Sequence, residues 1–268
     1  MTWDRILLVG CGNMAGAMLD GWLAAGFAPA RFTVVDPAGR DLPPGVTGRA
    51  DMPESGGFDA ILLGVKPQIL AQVAPLVEPL AGEGATVLSI LAGVELDLLG
   101  ENFPRADGVV RIMPNLAAAL GKSPLALAQR GLDDAARAAI VELLAPLGTP
   151  EWIAEDQFDL VTALAGSGPA FVYRFIDALA SSAAELGMPA DTAGRLALAM
   201  VEGASALAAS SPHDPAELAR RVASPGGTTQ AGLDTLDAGQ TLRNLLRDTL
   251  RSARDRSARM AAEARAKT

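Results

Sequence analysis

Residues 10–15, Gly-Cys-Gly-Asn-Met-Ala, form the first pattern able to do chemistry. They follow the apolar run Ile6-Leu7-Leu8-Val9 and lead into a stretch that reads as a helix. Gly10 lets the chain turn sharply off a strand, and Gly12 lets a pyrophosphate approach backbone where a Cβ would stand in the way. Ala15 keeps the helix tight against the sheet, and the open N–H groups of its first turn face the phosphates. A second apolar run, Phe32-Thr33-Val34-Val35, ends at Asp36. A carboxylate there accepts hydrogen bonds from a ribose 2′-hydroxyl and repels a 2′-phosphate. Arg40 is a phosphate partner four residues on, so NADH against NADPH stays open with a tilt to NADH. Strand, glycine turn, helix and acid in this order predict dinucleotide binding by Gly10, Cys11, Gly12, Asn13, Met14 and Asp36. Cys11 reads as a small packing side chain inside that loop.

The proton donors are scarce. Dehydrogenases commonly use His or Lys as general acid, and this chain holds only His213, Lys66, Lys122 and Lys267. His213 sits in the proline-punctuated linker Ser210-Ser211-Pro212-His213-Asp214-Pro215, and Lys267 is next to last. Lys66 precedes Pro67 at a strand's C-terminal end, the edge where α/β sheets bind ligands, and is expected to serve the cofactor. The inventory favours a substrate that needs little acid catalysis, such as a protonated imine that already attracts hydride. Two loops suit its carboxylate. Gly166-Ser167-Gly168-Pro169 and Ser224-Pro225-Gly226-Gly227-Thr228-Thr229 each open a helix, presenting hydroxyls and N–H groups where an anion binds well. Both also fit ordinary N-capping, but the doubled glycine and doubled threonine of the second exceed what a cap requires.

The elements that must position these residues divide the chain in two. Five runs, at residues 6–9, 32–35, 60–63, 86–90 and 109–113, are nearly continuous in Val, Ile and Leu. Such runs are strands of a parallel sheet buried on both faces. Helical stretches at 14–25, 68–80, 95–99 and 133–147 alternate with them, and 151–153 is a further short run. The expectation is an α/β fold, with an N-terminal Rossmann-type doubly wound sheet over residues 1–155. From 156 the period becomes helical, predicting a C-terminal all-α substrate-binding and dimerisation domain over 156–268. Phe171, Phe175, Leu179 and Leu186 form one expected stripe. Ala193, Leu196, Ala197, Met200, Val201, Ala204, Leu207 and Ala208 form another, and Leu242, Leu245, Leu246, Leu250 and Ala253 a third. Three such helices make a thin core, which predicts completion by a second subunit.

Composition narrows the function classes. The net charge of −9 argues against nucleic acid as a partner. Residues 243–268 hold eight Arg or Lys against three acids, read as a solvated helix face without interleaved aromatics. One cysteine and one histidine leave no His/Cys metal cluster, so no metal is expected. No charged-then-apolar leader and no long uncharged run stand out, which predicts a cytoplasmic protein without a membrane partner.

Together these residues resemble the pyrroline-5-carboxylate reductase family. The likeness runs nearly end to end. It comprises Gly10 to Ala15, Val65-Lys66-Pro67-Gln68, Ser89-Ile90-Leu91-Ala92-Gly93, Met113-Pro114-Asn115, Ala165-Gly166-Ser167-Gly168-Pro169-Ala170 and Ser224 to Thr229. The resemblance implies that NAD(P)H delivers hydride to C5 of the cyclic imine 1-pyrroline-5-carboxylate, giving L-proline. By the same pattern Gly10 to Met14, Val65, Lys66, Pro67, Ala92 and Gly93 line the cofactor. Ser224, Gly226, Gly227, Thr228 and Thr229 take the substrate carboxylate, with Ser167 and Asn115 beside them, and the Thr229 hydroxyl faces the ring nitrogen. It also implies a homodimer, built in some members into a larger ring. The chain departs from the family at Leu116-Ala117, where Thr-Pro is usual, and at Asp51, Ala165 and Ala199-Met200. Alternatives are a reductase of another cyclic imine acid, or a non-catalytic NAD(P)-binding regulator of the same fold. A 3-hydroxyacid-type dehydrogenase would need a lysine on the substrate-side helices, and none lies between Lys122 and Lys267.

Overall fold

The computed structural model describes residues 3–39, 41–82 and 84–265, so Met1, Thr2, Arg40 and Lys267 lie outside the described residues. Strand β1 (Ile6–Val9) is followed by α1 (Asn13–Ala24), β2 (Phe32–Val35), β3 (Thr47–Arg49) and β4 (Ala60–Leu63). Then come α2 (Leu70–Ala81), β5 (Thr86–Ser89), α3 (Leu96–Asn102) and β6 (Gly108–Met113). The sheet ends with β7 (Ser123–Arg130), α4 (Asp134–Leu144) and β8 (Gly148–Trp152). All eight strands form one sheet in the order β3-β2-β1-β4-β5-β6-β7-β8. Every pairing is parallel except β6 with β7. The doubly wound α/β architecture is therefore present.

Alternate residues of the apolar runs serve two separate cores. Ile6 and Leu8 of β1 with Ala60 and Leu62 of β4 face Met18, Leu19 and Trp22 of α1 and Ile140, Leu143 and Leu144 of α4. Leu7 and Val9 with Ile61 and Leu63 face Leu70, Ala74 and Val77 of α2 and Leu99 of α3. A strand apolar at every position is what a sheet covered on both faces demands. Two tryptophans lock the first layer. The Trp22 indole stacks on Phe32 with centroids 5.6 Å apart. Its N–H donates to the Leu143 carbonyl at 2.8 Å, a carbonyl of the last turn of α4. Trp3 donates likewise to Ala139, at 3.0 Å.

Strands β3, β7 and most of β8 go beyond the sequence expectation. β7 is Ser-Pro-Leu-Ala-Leu-Ala-Gln-Arg, whose alanines and proline are poor strand formers. It is a strand because Leu125 to Ala128 are buried against β6, while Pro124 sits near its start, where a missing N–H is tolerated. β8 carries Pro150 on the outer edge of the sheet.

Two compact units are distinguished: residues up to Ser167 together with those from Ser252 on, and residues Gly168–Arg251. After α5 (Phe158–Val161) and a wide turn at Thr162–Gly166, the second unit consists of helices. These are α6 (Gly168–Glu185), α7 (Ala190–Ser210), α8 (Pro215–Val222), α9 (Thr228–Asp237) and the first part of α10 (Thr241–Arg265). α6 and α7 pack on each other. Gly187, at φ +105°, ends the first of the pair, with Pro189 opening the second. Of the expected α6 stripe, Phe171 and Leu179 are half-buried, whereas Phe175 is exposed and Leu186 lies past the helix end in the turn. On α7 only Ala193 is fully buried; Leu196, Met200 and Leu207 stand exposed within the single chain. Several arginines of α10 pair within the helix, Arg251 with Asp248 at 3.2 Å and Arg256 with Glu263 at 3.0 Å, whereas Arg265 pairs with Glu95. No helix among the described residues is long and apolar enough to cross a membrane.

Candidate active site

The glycine loop lies where the sheet reverses direction. From β1 the chain runs to β2 on one side, and β4 pairs on the other, so the loops after β1 and β4 meet at the switch point. Gly10 has φ +83°, and a Cβ there would lie 2.9 Å from Val65 Cγ1. Gly64, which the sequence reading passed over, is equally confined, since its Cβ would sit 2.6 Å from the Gly10 carbonyl oxygen and 2.7 Å from Ala15 Cβ. These three small residues let two loops and a helix start close on one point. Gly12 differs: its Cβ would meet nothing within 4 Å. Glycine at that position leaves room for a ligand rather than for protein.

Helix α1 starts at Gly12 with no side-chain cap and no acid in its first turn. Its first intrahelical bond runs from the Gly16 N–H to the Gly12 carbonyl at 2.8 Å, so the preceding N–H groups point past the helix end. A cleft of about 620 Å³ opens there, lined by Cys11, Gly12, Asn13, Ala17, Asp20, Asp36, Ala38 and Leu116. The Asp36 carboxylate accepts the Cys11 N–H at 2.8 Å and the Ala38 N–H at 3.0 Å, tying the end of β2 to the loop after β1. This open Gly12 position, free helix terminus and fixed acid fit the diphosphate and ribose of a dinucleotide. Leu116 is 57 % exposed and forms one wall.

The remaining expected cofactor residues follow neighbouring strands. Val65, Lys66 and Pro67 come after β4, with Lys66 exposed and Pro67 opening a short 3-10 turn. Ala92 and Gly93 come after β5. Gly93, at φ +76°, is buried, and its Cβ would lie 3.2 Å from the Ala261 backbone. The helix passing over it accounts for that glycine by packing.

Among the expected substrate residues, Asn115 is 6 % exposed and its side chain is engaged. Its Oδ1 accepts the Ala117 N–H at 2.9 Å, and its Nδ2 donates to the Ala165 carbonyl at 3.0 Å. The residue thus ties the β6–β7 reversal to the turn before Ser167. Ser167 is half-buried, and its N–H bonds to the Thr162 carbonyl at 2.9 Å.

The loop of the second unit is a turn with Pro225 and Gly226 at its centre. The Gly227 N–H reaches the Ser224 carbonyl at 2.9 Å, and Gly226 has φ +72°, the pattern of a type II turn. A Cβ on Gly227 would lie 2.4 Å from Ser224 Oγ. Gly227 is the N-cap of α9, no side chain caps it, and the first turn holds no acid. Ordinary capping therefore does not occupy the exposed Thr228 and Thr229 hydroxyls. Hydroxyls and N–H groups together suit a carboxylate.

Two further observations escaped the sequence reading. Arg111 of β6 is 5 % exposed, pairs with Glu155 at 2.7 Å, and lies over the Phe158 ring at 4.0 Å. Burial pushes its pKa down, and the Glu155 hydrogen bond opposes this. An arginine inside the run Val109-Val110-Arg111-Ile112-Met113 was the available signal, because a buried charge requires a partner. Helix α8 was also legible: Asp214 accepts the Glu217 N–H at 2.8 Å ahead of Pro215 at the first helical position. His213 is half-buried, its N–H donating to Ser211 Oγ at 3.0 Å.

A protein described as pyrroline-5-carboxylate reductase from Pseudomonas aeruginosa is 34 % identical over 270 residues, covering 97 % of this chain and 98 % of its own. The chain belongs to the pyrroline-5-carboxylate reductase family. The family description "Pyrroline-5-carboxylate reductase dimerisation" matches residues 155–260. A solved pyrroline-5-carboxylate reductase from Coxiella burnetii superposes with a TM-score of 0.86 at 29 % identity, over 96 % of this chain and 98 % of that one. The fold is shared as well by a Plasmodium falciparum pyrroline carboxylate reductase solved with NADP bound, at a TM-score of 0.83 and 22 % identity over 96 % and 98 % of the two chains.

Proposed function

We infer that this family member is an NAD(P)H-dependent imine oxidoreductase that reduces 1-pyrroline-5-carboxylate to L-proline, the last step of proline biosynthesis. The observation that carries the site is the pair of uncapped helix starts, at Gly12 and at Gly227, each behind a glycine turn and each without an acid in its first turn. A bound NAD(P)H supplies hydride to C5 of the imine. The chain's residues bind, orient and polarise. Gly10, Cys11, Gly12, Asn13 and Met14 hold the diphosphate against the α1 N–H groups, and Asp36 holds the ribose. Val65 to Pro67 and Ala92-Gly93 border the nicotinamide side of the same sheet edge.

The carboxylate of the substrate rests on Ser224, Gly226, Gly227 and Thr228 at the positive end of α9. Thr229 Oγ faces the ring nitrogen and holds the iminium N–H, keeping the C=N bond polarised toward hydride. Ser167 supports the substrate, and Asn115 positions the turn that carries Ser167. Residues 1–155 supply the cofactor half and 156–268 the substrate and dimerisation half. The protein is a homo-oligomer acting on a small molecule; we assign a homodimer, with larger rings built from it, in the cytoplasm.

The test follows reduced-nicotinamide absorbance on mixing the protein with 1-pyrroline-5-carboxylate and NADH or NADPH. Oxidation of either coenzyme, with proline as product, is expected. Thr229→Ala should lower kcat/KM by about a hundredfold, as loss of a hydrogen-bonding group at the reacting centre does. Thr229→Ser should retain most of the activity, and coenzyme affinity should be unchanged in both. A bound coenzyme that is never oxidised would sink the reading.

A further inference from the structure

The end of α10, basic in sequence, does more than present a solvated face. From Ser252 on, this helix belongs to the sheet-based unit. Ser257, Ala261 and Arg265 are spaced four apart, so they share one side of it. Each meets a different group. Ser257 Oγ donates to Asp159 Oδ1 of α5 at 2.7 Å. Ala261 is 7 % exposed, and its backbone lies 3.2 Å from where a Cβ on Gly93 would stand. Arg265 pairs with Glu95, the N-cap residue of α3. A hydrogen bond to a carboxylate outweighs an exposed ion pair, so Ser257 with Asp159 is the main polar anchor of this face.

The segment covered in this way is the turn after β5. Its own closure is weak. The Val94 N–H reaches the Leu91 carbonyl only at 3.4 Å, beyond the ~3.2 Å of a good N–H···O bond. Gly93, at φ +76°, is buried against the helix backbone, so an outward movement of the turn displaces α10. On its other side the turn neighbours the loop after β4, because β4 and β5 pair in parallel. That is the sheet edge where α/β folds take their ligands. A turn that closes itself poorly, at the edge where a coenzyme binds, takes its position from the helix outside it.

We propose that the Ser257, Ala261 and Arg265 face of α10 is a strap that fixes the Ala92-Gly93 turn for the coenzyme, with Ser257 and Asp159 as positioning residues. The proposal rests on the reading above that Ala92 and Gly93 border the nicotinamide side. The experiment compares the wild type with Ser257→Leu, which replaces the hydroxyl by bulk, Ser257→Ala, which only removes it, and Ser257→Thr, which keeps it. Affinity for NADH and NADPH is read by nicotinamide fluorescence, and hydrogen exchange is followed over residues 91–95. Ser257→Leu should weaken coenzyme binding by about fivefold and Ser257→Ala by about threefold, the size of effects relayed through packed neighbours. In both, residues 91–95 should exchange faster while residues 10–15 keep their wild-type rate, and kcat at saturating coenzyme should hold. Ser257→Thr should match the wild type. Unfolding midpoints confirm folding, and Ser257→Ala carries the test if the leucine variant does not fold. Unchanged affinity in the folded variants would overturn the proposal, as would a loss of affinity without faster exchange at 91–95, or a threonine variant as weak as the alanine one. Faster exchange with unchanged affinity would overturn the coenzyme role and fault the assignment of Ala92 and Gly93, not the docking of the helix. Turnover of 1-pyrroline-5-carboxylate by the wild type is measured separately, and its absence would count against the reductase reading alone.

Discussion

Gly10 and Gly64 mark a close approach of two loops in the first unit. The loop after β1 passes so close to the loop after β4 that a methyl group on either glycine collides with backbone or with Ala15. Gly10 also needs a positive φ, which costs an L-residue about 1–3 kcal/mol before any collision is counted. Gly10→Ala is therefore expected to lower stability by at least about 2 kcal/mol and to abolish coenzyme binding. Urea unfolding and nicotinamide fluorescence measure the two effects. Gly12 separates them: with open space before its Cβ and φ −68°, Gly12→Ala should leave the unfolding midpoint nearly unchanged and weaken only the coenzyme. A stable variant with intact binding would show that Gly12 is not where the diphosphate lies.

At the scale of elements, the Arg111–Glu155 pair joins three segments. Glu155 Oε1 accepts from Arg111 of β6 and from the Leu96 N–H at the start of α3, both at 2.7 Å. One carboxylate thus satisfies a buried guanidinium and an orphan donor of a helix start. Removing it strands the cation beneath Phe158, so Glu155→Ala should cost about 3 kcal/mol in chemical unfolding. Arg111→Met with Glu155→Leu, which removes both charges and refills the volume, should recover most of that loss. A double variant as unstable as the single would mean that the Leu96 contact, not the ion pair, is the larger contribution.

Across the whole molecule, the two units differ in kind. The sheet-based unit has two apolar layers closed within one chain, whereas the helical unit leaves Leu196, Leu198, Met200, Leu207, Leu245 and Leu246 exposed. Apolar surface on that scale marks an interface, and the match of residues 155–260 to a dimerisation family assigns it to a second copy. Leu196→Asp combined with Leu207→Asp should shift the protein to a monomer in sedimentation velocity and abolish turnover. A dimer that survives both charges would place the interface on another face of the helices.

How much of this was legible beforehand depends on the range of each interaction. The sequence alone determined the five central strands, the glycine turn, α1, α6 and α7, and the two loops that open α6 and α9. Each of these depends on neighbours a few residues away: apolar runs, period, and glycine next to a helix former. The α8 capping residues, Asp214 to Glu217, were equally local and simply passed over. Only the tertiary structure decided that β7 pairs antiparallel with β6, since its alanines carry no strand preference of their own. The same holds for Asp36 bonding Cys11, Asn115 engaging Ala165, Gly93 packing under Ala261, and Glu155 answering Arg111. In each, the partner lies far along the chain, and no local pattern encodes which distant group will complete a buried polar contact or a close backbone approach.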